Sequence, residues 1–353
     1  MLVSGPVMIL RLENNKGHVI YLFGDIHADI HSQWECPISE NSIRIDQLYK
    51  EIFKKNHSKK LGFYLETSKG IMSTYDTYFY KTSSQAYIHL LRVLVSDNLQ
   101  FDKKTNKVIP SKYFPNVMFH YFDIRLDDPV FDYFLKNFTI TRNTVLNDLE
   151  DLKYYYDLFI NNIKKGKNPY FKKVLEKKYN NSEIKNKINL VYNDIITTNT
   201  SINNIFKKAT NYINEFNKKK LTHKSYTLNI ISCKVTNLYT SKKIYYENLI
   251  VMINDLYLLR RLLDKNYKTD IDYVYMGCTH TVNVAMFLLK HTDYKITHTT
   301  CNLDYLYKNI KNYNAHWFSK NSDLVLSNCF GKAIGYDSIN QCVNIKDFPV
   351  NLT

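Results

Sequence analysis

The segment HVIYLFGDIH, residues 18–27, is an apolar run that closes on a glycine, an aspartate and a histidine. Its first part, from Val19 to Phe23, has the length and composition of a buried strand. A second apolar run at residues 7–13 precedes it, and the NNKG sequence at residues 14–17 between the two is favourable turn chemistry for a hairpin. The chain is therefore predicted to begin with two paired strands, the second of which ends in chemically useful side chains.

Apolar segments of strand length then alternate with segments of helical periodicity. Strands are predicted at residues 61–65, 116–122, 272–276 and 294–301, with two weak strands within 322–346, and helices at 43–57, 84–97, 241–265 and 281–291. Strands that alternate with helices favour a parallel sheet with both faces covered. The predicted fold class is α/β, with a mostly parallel central sheet flanked by helices. Catalytic groups in such sheets gather at the carboxyl ends of the strands.

Residues 129–240 have a different character, with helical patterns rich in Asn, Lys and Tyr. Between residues 138 and 225 there are 17 Lys+Arg against 8 Asp+Glu, which is much of the net charge of +15. We predict a basic, all-helical insertion between two halves of an α/β core, residues 1–128 and 241–353. A lysine-rich solvated surface explains this charge better than a nucleic-acid site, because no arginine-rich or glycine-aromatic recognition motif accompanies it.

Composition excludes several other classes of protein. With 353 residues, 44% of them hydrophobic, the chain has enough apolar material for a large core, which excludes a disordered chain or a small disulfide scaffold. The six cysteines never form a CxxC motif, so we expect buried, unpaired thiols in a reducing compartment. The N-terminus does not resemble a signal peptide, and no apolar run approaches the ~18 residues that span a bilayer. We therefore expect an intracellular protein without a membrane span.

The motif GxxH occurs twice, each time directly after a predicted strand. The first copy runs from Gly24 to His27 and the second from Gly277 to His280. Glycine allows the backbone to turn tightly out of a sheet, so each histidine could point back over the strand end. Glu66 ends the strand at 61–65 in the same way. We expect the two histidines and this glutamate to meet at one edge of the sheet.

These residue types are suited to the activation of water. Neutral His and ionised Glu or Asp bind ions such as Mn, Zn or Co, which acidify a bound water. The candidate ligands are His27, Glu66, His280 and Asp25. Without a metal, a histidine beside a carboxylate can deprotonate water while an arginine, Arg125 or Arg261, stabilises the oxyanion. The sequence carries no nucleotide or flavin signature.

The motifs resemble those of the Tiki/TraB superfamily, which includes erythromycin esterases and ChaN-like proteins. They are also similar to uncharacterised proteins of giant DNA viruses, in which a helix of the form Asp-x-Tyr-x-x-x-Arg, here Asp255 to Arg261, precedes the second GxxH. The resemblance covers residues 1–128 and 240–345, outside the basic insertion. It implies a hydrolase of ester or peptide bonds, in some relatives metal-dependent, in the host cytoplasm or the virion.

Two alternatives stay open at this point. Asp25 and His27 after a strand match the DxH that opens the metal site of calcineurin-like metallophosphoesterases, but the GDxxD and GNH[DE] motifs of that family do not occur in the sequence. The other alternative is a non-enzymatic viral structural or host-interaction protein, whose basic helical surface binds nucleic acid or a partner protein.

Overall fold

The computed structural model describes residues 1–27, 36–37, 41–68, 86–105, 107–124, 182–197, 211, 251–252, 254–263, 269–330 and 341–349. The chain forms two compact units. The first contains residues 1–124, 257–313 and 321–353, and the second contains residues 125–256 and 314–320. No helix in the described part of the chain is long and apolar enough to cross a membrane.

The strands and helices follow the predicted alternation over most of the first unit. The strands are β1 (Leu2–Ser4), β2 (Met8–Glu13), β3 (Val19–Asp25), β4 (Ser42–Arg44), β5 (Leu61–Leu65), β6 (Gln100–Phe101), β7 (Val108–Ile109), β8 (Val117–Tyr121), β9 (Ile271–Gly277), β10 (Lys295–Thr299) and β11 (Cys342–Asn344). The helices are α1 (Ile45–Lys55), α2 (Ala86–Asn98), α3 (Ser182–Thr197), α4 (Cys278–His291), α5 (Asp304–Asn309) and α6 (Ala315–Phe330). Residues 254–262 are also helical, as predicted.

A six-stranded sheet in the order β10-β2-β3-β9-β5-β8 forms the centre of the first unit. The predicted hairpin is present as β2 and β3, and β3, β9, β5 and β8 run parallel to one another. β2 pairs antiparallel with β10 as well as with β3, so the sheet is mixed. Hydrophobic periodicity identifies a strand but does not encode its direction, which is why the prediction missed this pairing. A smaller sheet has the order β11-β1-β4.

Both faces of the central sheet are covered. On one face, α1 and α2 enclose a cluster of buried aromatic side chains, in which the Tyr49 ring lies 4.6 Å from Phe63 and the Phe53 ring 5.5 Å from Phe63. Each large apolar side chain buried in this way contributes about 1.5–3 kcal/mol. α4 packs against β3. The parallel pairing of β9 with β3 and β5 brings the carboxyl ends of the three strands beside one another.

Two further predictions about the fold have different outcomes. The one for residues 322–346 is wrong in part, and most of the one for residues 129–240 lies outside the described residues. Residues 322–330 belong to α6 and not to a strand, and β11 is the strand among the residues of 322–346 that the structure describes. Of the predicted basic insertion at 129–240, the structure describes α3 and residue 211, and the rest lies outside the described residues.

The expectation of unpaired cysteines is also wrong. Disulfides join Cys36 to Cys342 and Cys301 to Cys329, with Cα atoms 5.0 and 5.2 Å apart. The partners are 306 and 28 residues apart in sequence, so no short sequence motif predicts the pairing. Cys278 is a free, buried cysteine. The argument for a reducing compartment, which rested on unpaired thiols, therefore loses its basis.

Candidate active site

The candidate site lies where three parallel strands of the central sheet end. Asp25 ends β3, opposite Gly277 at the end of β9, and Glu66 follows β5 directly. The Glu66 amide donates a hydrogen bond of 3.0 Å to the carbonyl of Tyr275, which continues the pairing of β5 with β9 by one residue. Three segments that are far apart in sequence thus place polar side chains at one edge of the sheet, as predicted.

Glu66 lies between the two motif histidines. Its Oε2 is 3.3 Å from Nε2 of His27, and its Oε1 is 3.0 Å from Nε2 of His280. The backbone amide of Gly277, which directly precedes the first residue of α4, donates a 2.7 Å hydrogen bond to Oε2. Because an ionised carboxylate only accepts hydrogen bonds, both imidazoles donate to it. The amino terminus of α4 adds a favourable dipole for the negative charge of Glu66.

Asp25 lies on the other side of His27. Its Oδ2 is 3.3 Å from Nδ1 of His27 and accepts a 3.0 Å hydrogen bond from the hydroxyl of Tyr275. Its Oδ1 accepts hydrogen bonds from the His27 amide at 3.1 Å and from Nε2 of Gln341 at 2.6 Å. Asp25 is buried, and four donors surround its carboxylate. These hydrogen bonds therefore hold Asp25 directly behind His27.

The imidazole of His27 is held between two carboxylates. Burial by itself lowers the pKa of His27, but hydrogen bonds and charge from Asp25 and Glu66 outweigh that effect and raise the pKa from 6.5 to about 9. His27 is thus an imidazolium at neutral pH. Its side chain is 26% exposed, whereas those of Glu66 and His280 are 4% and 5% exposed. His27 is therefore the most solvent-accessible side chain of this cluster.

The backbone at His27 is unusual. It has a φ of +49°, and His27 is the one residue other than glycine with a positive φ among those the structure describes. The left-handed region is costly for a residue with a Cβ, and such strain concentrates at functional sites. The amide hydrogen bond from His27 to Asp25 and the two contacts of the imidazole hold this conformation in place.

The glycines of the two motifs provide space and do not make the expected turns. Gly24 lies inside β3, where a Cβ would come within 2.5 Å of the Met8 side chain. Gly277 has an ordinary φ of −58°, and a Cβ on it would lie 3.3 Å from Nε2 of His27 and 3.5 Å from Oε2 of Glu66. The absence of a side chain at residue 277 lets the histidine and the glutamate approach the backbone closely.

Arg261 is the other predicted site residue that the structure describes. Arg261 is buried, with Nη1 3.0 Å from Nδ1 of His120 on β8 and Nη2 donating a 2.6 Å hydrogen bond to the hydroxyl of Tyr257. Burial first, and then the charge of Arg261, hold the pKa of His120 well below its usual value, so His120 is neutral. Arg125 lies outside the described residues. The structure thus brings together Asp25, His27, Glu66 and His280, and places Arg261 beside His120 and Tyr257.

Cys278 lies within the second GxxH motif but is not suited to nucleophilic attack. Burial, with a further contribution from the charges of Asp25 and Glu66, raises the pKa of its thiol to about 12. A thiol with such a pKa is almost entirely protonated at neutral pH, and the thiolate is the reactive form. This agrees with the interpretation of Cys278 as a buried apolar residue.

The donor set does not fit a divalent ion in this arrangement. Within the described residues, no group of three or more His, Cys, Asp or Glu side chains is arranged to hold a metal. Both ring nitrogens of His27 face carboxylate oxygens, and a doubly protonated imidazole has no lone pair for a metal. Elemental analysis of the purified protein tests the expected Mn, Zn or Co.

Sequence reasoning missed two residues that support the site. Tyr275 and Gln341 both donate to Asp25 and are buried. Burial, and then the charge of Asp25 and the hydrogen bond to it, raise the pKa of Tyr275 well above its usual value, so its hydroxyl stays a donor. Tyr275 lies in a strand that reads as apolar, two residues before Gly277. No sequence signal pointed to Gln341, which lies 316 residues from Asp25.

Comparison with known proteins gives a family and viral relatives. The model of DUF5847, described as a family of unknown function, matches residues 1–166 and 135–353. Uncharacterized protein R161 of Acanthamoeba polyphaga mimivirus is 25% identical over 441 residues, covering 99% of this chain and 97% of that protein. Uncharacterized protein R706 of the same virus is 26% identical over 432 residues, covering 99% and 96%. No solved structure matches.

These comparisons overturn the resemblance to the Tiki/TraB superfamily. The family model that covers this chain is DUF5847, and the similar proteins are mimivirus proteins. The GxxH motif fixes only two residues in four, so unrelated chains can share it. The similarity to giant-virus proteins, which was inferred from the same motifs, is confirmed.

Proposed function

The chain belongs to DUF5847, a family of unknown function, and we propose that it is a hydrolase of ester or peptide bonds. The observation that carries the proposal is the placement of Glu66 between His27 and His280, with Asp25 behind His27. These four side chains come from three segments of the chain, since Asp25 and His27 both lie at the end of β3. Such convergence of titratable groups, one of them with a strongly raised pKa, is typical of acid–base centres.

In this proposal His27 is the general acid and Glu66 the general base. His27 carries a proton on Nε2 at neutral pH and is the more exposed of the two, so it is placed to protonate the leaving group. The side chain of Glu66 is 4% exposed, and in this proposal it accepts one proton from the water that attacks the acyl carbon. His280 and the Gly277 amide hold the Glu66 carboxylate in place.

The contact between His27 and Glu66 closes the cycle. After the acyl bond breaks, the leaving group has taken the Nε2 proton of His27 and Glu66 holds the proton taken from water. Because Oε2 of Glu66 lies 3.3 Å from Nε2 of His27, the proton passes back directly and restores the starting state. The net reaction consumes one water and yields an acid and an alcohol or amine. Asp25 stabilises the imidazolium at the start and the end.

The hydrogen bonds of the site support this reaction over a calcineurin-like metal site. In a calcineurin-like site Asp25 and His27 would ligate a metal, whereas here hydrogen bonds within the protein occupy the Asp25 oxygens and both His27 ring nitrogens. The interaction-protein alternative depends on the basic insertion, most of which lies outside the described residues. The acid–base cluster is the feature that carries a specific chemical prediction.

A panel of ester, peptide and phosphoester substrates tests the proposal. We expect hydrolysis of carboxylic esters or peptides, and a loss of about 10²–10⁴-fold in kcat/KM for Glu66→Gln and for His27→Asn. The matched control is His298→Asn, since His298 lies on the exposed edge strand β10. Turnover that survives both site substitutions, or hydrolysis confined to phosphoesters, would show that the cluster is not the proposed centre. Activity that needs added Mn, Zn or Co would show that a metal takes part.

A further inference from the structure

Gln341 connects the C-terminal part of the chain to the candidate site. Its side-chain amide is fully buried, and Nε2 donates both to Oδ1 of Asp25 at 2.6 Å and to the carbonyl of Gly5 at 2.9 Å. The amide of Gly5 donates in return to the Gln341 carbonyl at 2.9 Å. Gln341 therefore bridges the end of β1 and the carboxylate that orients His27. The position of Asp25 depends on where the chain lies at residue 341.

A disulfide holds that part of the chain. Cys342, the next residue, begins β11 and is bonded to Cys36. The amide of Cys36 donates a 3.0 Å hydrogen bond to Oγ of Ser4, and Ser4 pairs with Cys342 across β1 and β11. β11 is only three residues long. Without the covalent bond, Gln341 would be held by this short strand and its own hydrogen bonds.

We propose that Gln341 is a positioning residue for Asp25 and that the Cys36–Cys342 disulfide makes assembly of the active site depend on thiol oxidation. A dithiol reductant would supply two electrons and two protons, break the sulfur–sulfur bond, leave two thiols and become a disulfide itself. The released segment would then carry Gln341 away from Asp25, which would lose its shortest hydrogen bond, the 2.6 Å contact with Nε2 of Gln341. The catalytic consequence rests on the proposed hydrolase function, whereas the positioning of Asp25 does not.

The expected effect is a change in how Asp25 faces His27. Oδ1 of Asp25 accepts hydrogen bonds from Gln341 and from the His27 amide. Oδ2 of Asp25 accepts hydrogen bonds from Tyr275 and from the His27 ring. The terminal torsion of an aspartate is soft, so loss of the 2.6 Å contact lets the carboxylate rotate away from Nδ1. The imidazolium of His27 then loses part of the interaction that stabilises it.

The first experiment changes Gln341 alone. The full chain is labelled with ¹³C-histidine, and the titration midpoint of His27 is followed by NMR in the wild type and in Gln341→Met, with the disulfide intact. The His27 signal is assigned by its loss in His27→Asn. We expect the midpoint to fall by about one pH unit in Gln341→Met, because the carboxylate of Asp25 is then less well aligned with the imidazolium of His27. An unchanged or raised midpoint would overturn the positioning role.

The second experiment changes the disulfides. Cys36→Ser/Cys342→Ser is compared with Cys301→Ser/Cys329→Ser, which removes the other disulfide and serves as the control. We expect the His27 midpoint to fall in the first double variant, and in the wild type treated with dithiothreitol, and to stay unchanged in the control. Equal midpoints in the two double variants would overturn the redox dependence. Near-ultraviolet circular dichroism confirms folding, and Gln341→Met still decides the positioning role if the first double variant does not fold.

The two proposals fail separately in these measurements. Hydrolysis is assayed on the same samples with the ester and peptide panel. Midpoints that fall as expected without turnover in any sample would leave the positioning of Asp25 standing and refute the hydrolase. Turnover that depends on His27 but not on Gln341, with an unchanged midpoint in Gln341→Met, would leave the hydrolase standing and refute the positioning role.

Discussion

Replacement of His27 by Asn should make the stability of the protein less dependent on pH, and the size of this effect follows from the site. The pKa of His27 is taken as the ordinary histidine value of 6.5 in the unfolded chain, and it is about 9 in the folded protein. One unit of pKa difference corresponds to about 1.4 kcal/mol, so the proton on His27 contributes on the order of 3 kcal/mol to folding. Asn is a suitable replacement because it tolerates the left-handed backbone at this position better than most residues.

The sign of the effect is set by the raised pKa. Between pH 6.5 and 9 the folded protein binds more protons than the unfolded chain, so the contribution is fully present below pH 6.5 and is lost as the pH rises through 9. Urea unfolding at pH 6 and pH 10, followed by circular dichroism, measures the free energy of unfolding of both proteins. The wild type should lose about 3 kcal/mol more than His27→Asn between these pH values. The same pH dependence in both proteins would refute the ion-paired site.

Further predictions concern catalysis, space and reactivity at the site. Hydrolytic activity should fall as the pH rises through about 9, because His27 then loses the proton that it donates, and a pH–rate profile checks this. Gly277→Ala should lower kcat/KM by about tenfold or more, since its Cβ would lie 3.3 Å from Nε2 of His27 and force a shift there; unchanged kinetics would contradict the close packing. Cys278 should react with a thiol reagent far more slowly in the folded protein than in urea, as measured by the release of a chromophore.

The two disulfides should also differ in their effect on stability. In the chain-entropy model, a bond that closes a loop of 306 residues contributes about 5–6 kcal/mol and one that closes 28 residues about 3–4 kcal/mol. Removal of Cys36–Cys342 should therefore cost more than removal of Cys301–Cys329 in urea unfolding, and equal costs would contradict this.

The sequence was informative where the structure is local. The strand from Val19 to Asp25 and the polar residues after it could be predicted, because a buried strand needs a continuous apolar run and its end is marked by the first charged residue. Glu66 and His280 were found by the same reasoning, and parallel pairing then brought them together. What the sequence did not reveal depends on contacts between distant residues. The pairing of β10 with β2, the partner of Cys342 and the contact of Gln341 with Asp25 are set by the packed fold, and periodicity carries no information about them.

The bond between Cys36 and Cys342 turns most of the polypeptide into a closed ring. A single cut by a protease anywhere from residue 37 to residue 341 would leave two pieces that still migrate as one molecule until a reductant is added. For a cut between residues 67 and 279, one piece would carry Asp25, His27 and Glu66 and the other would carry His280. The central stretch of the chain, including the region predicted to be a basic insertion, can therefore be nicked while both parts of the site remain covalently tethered.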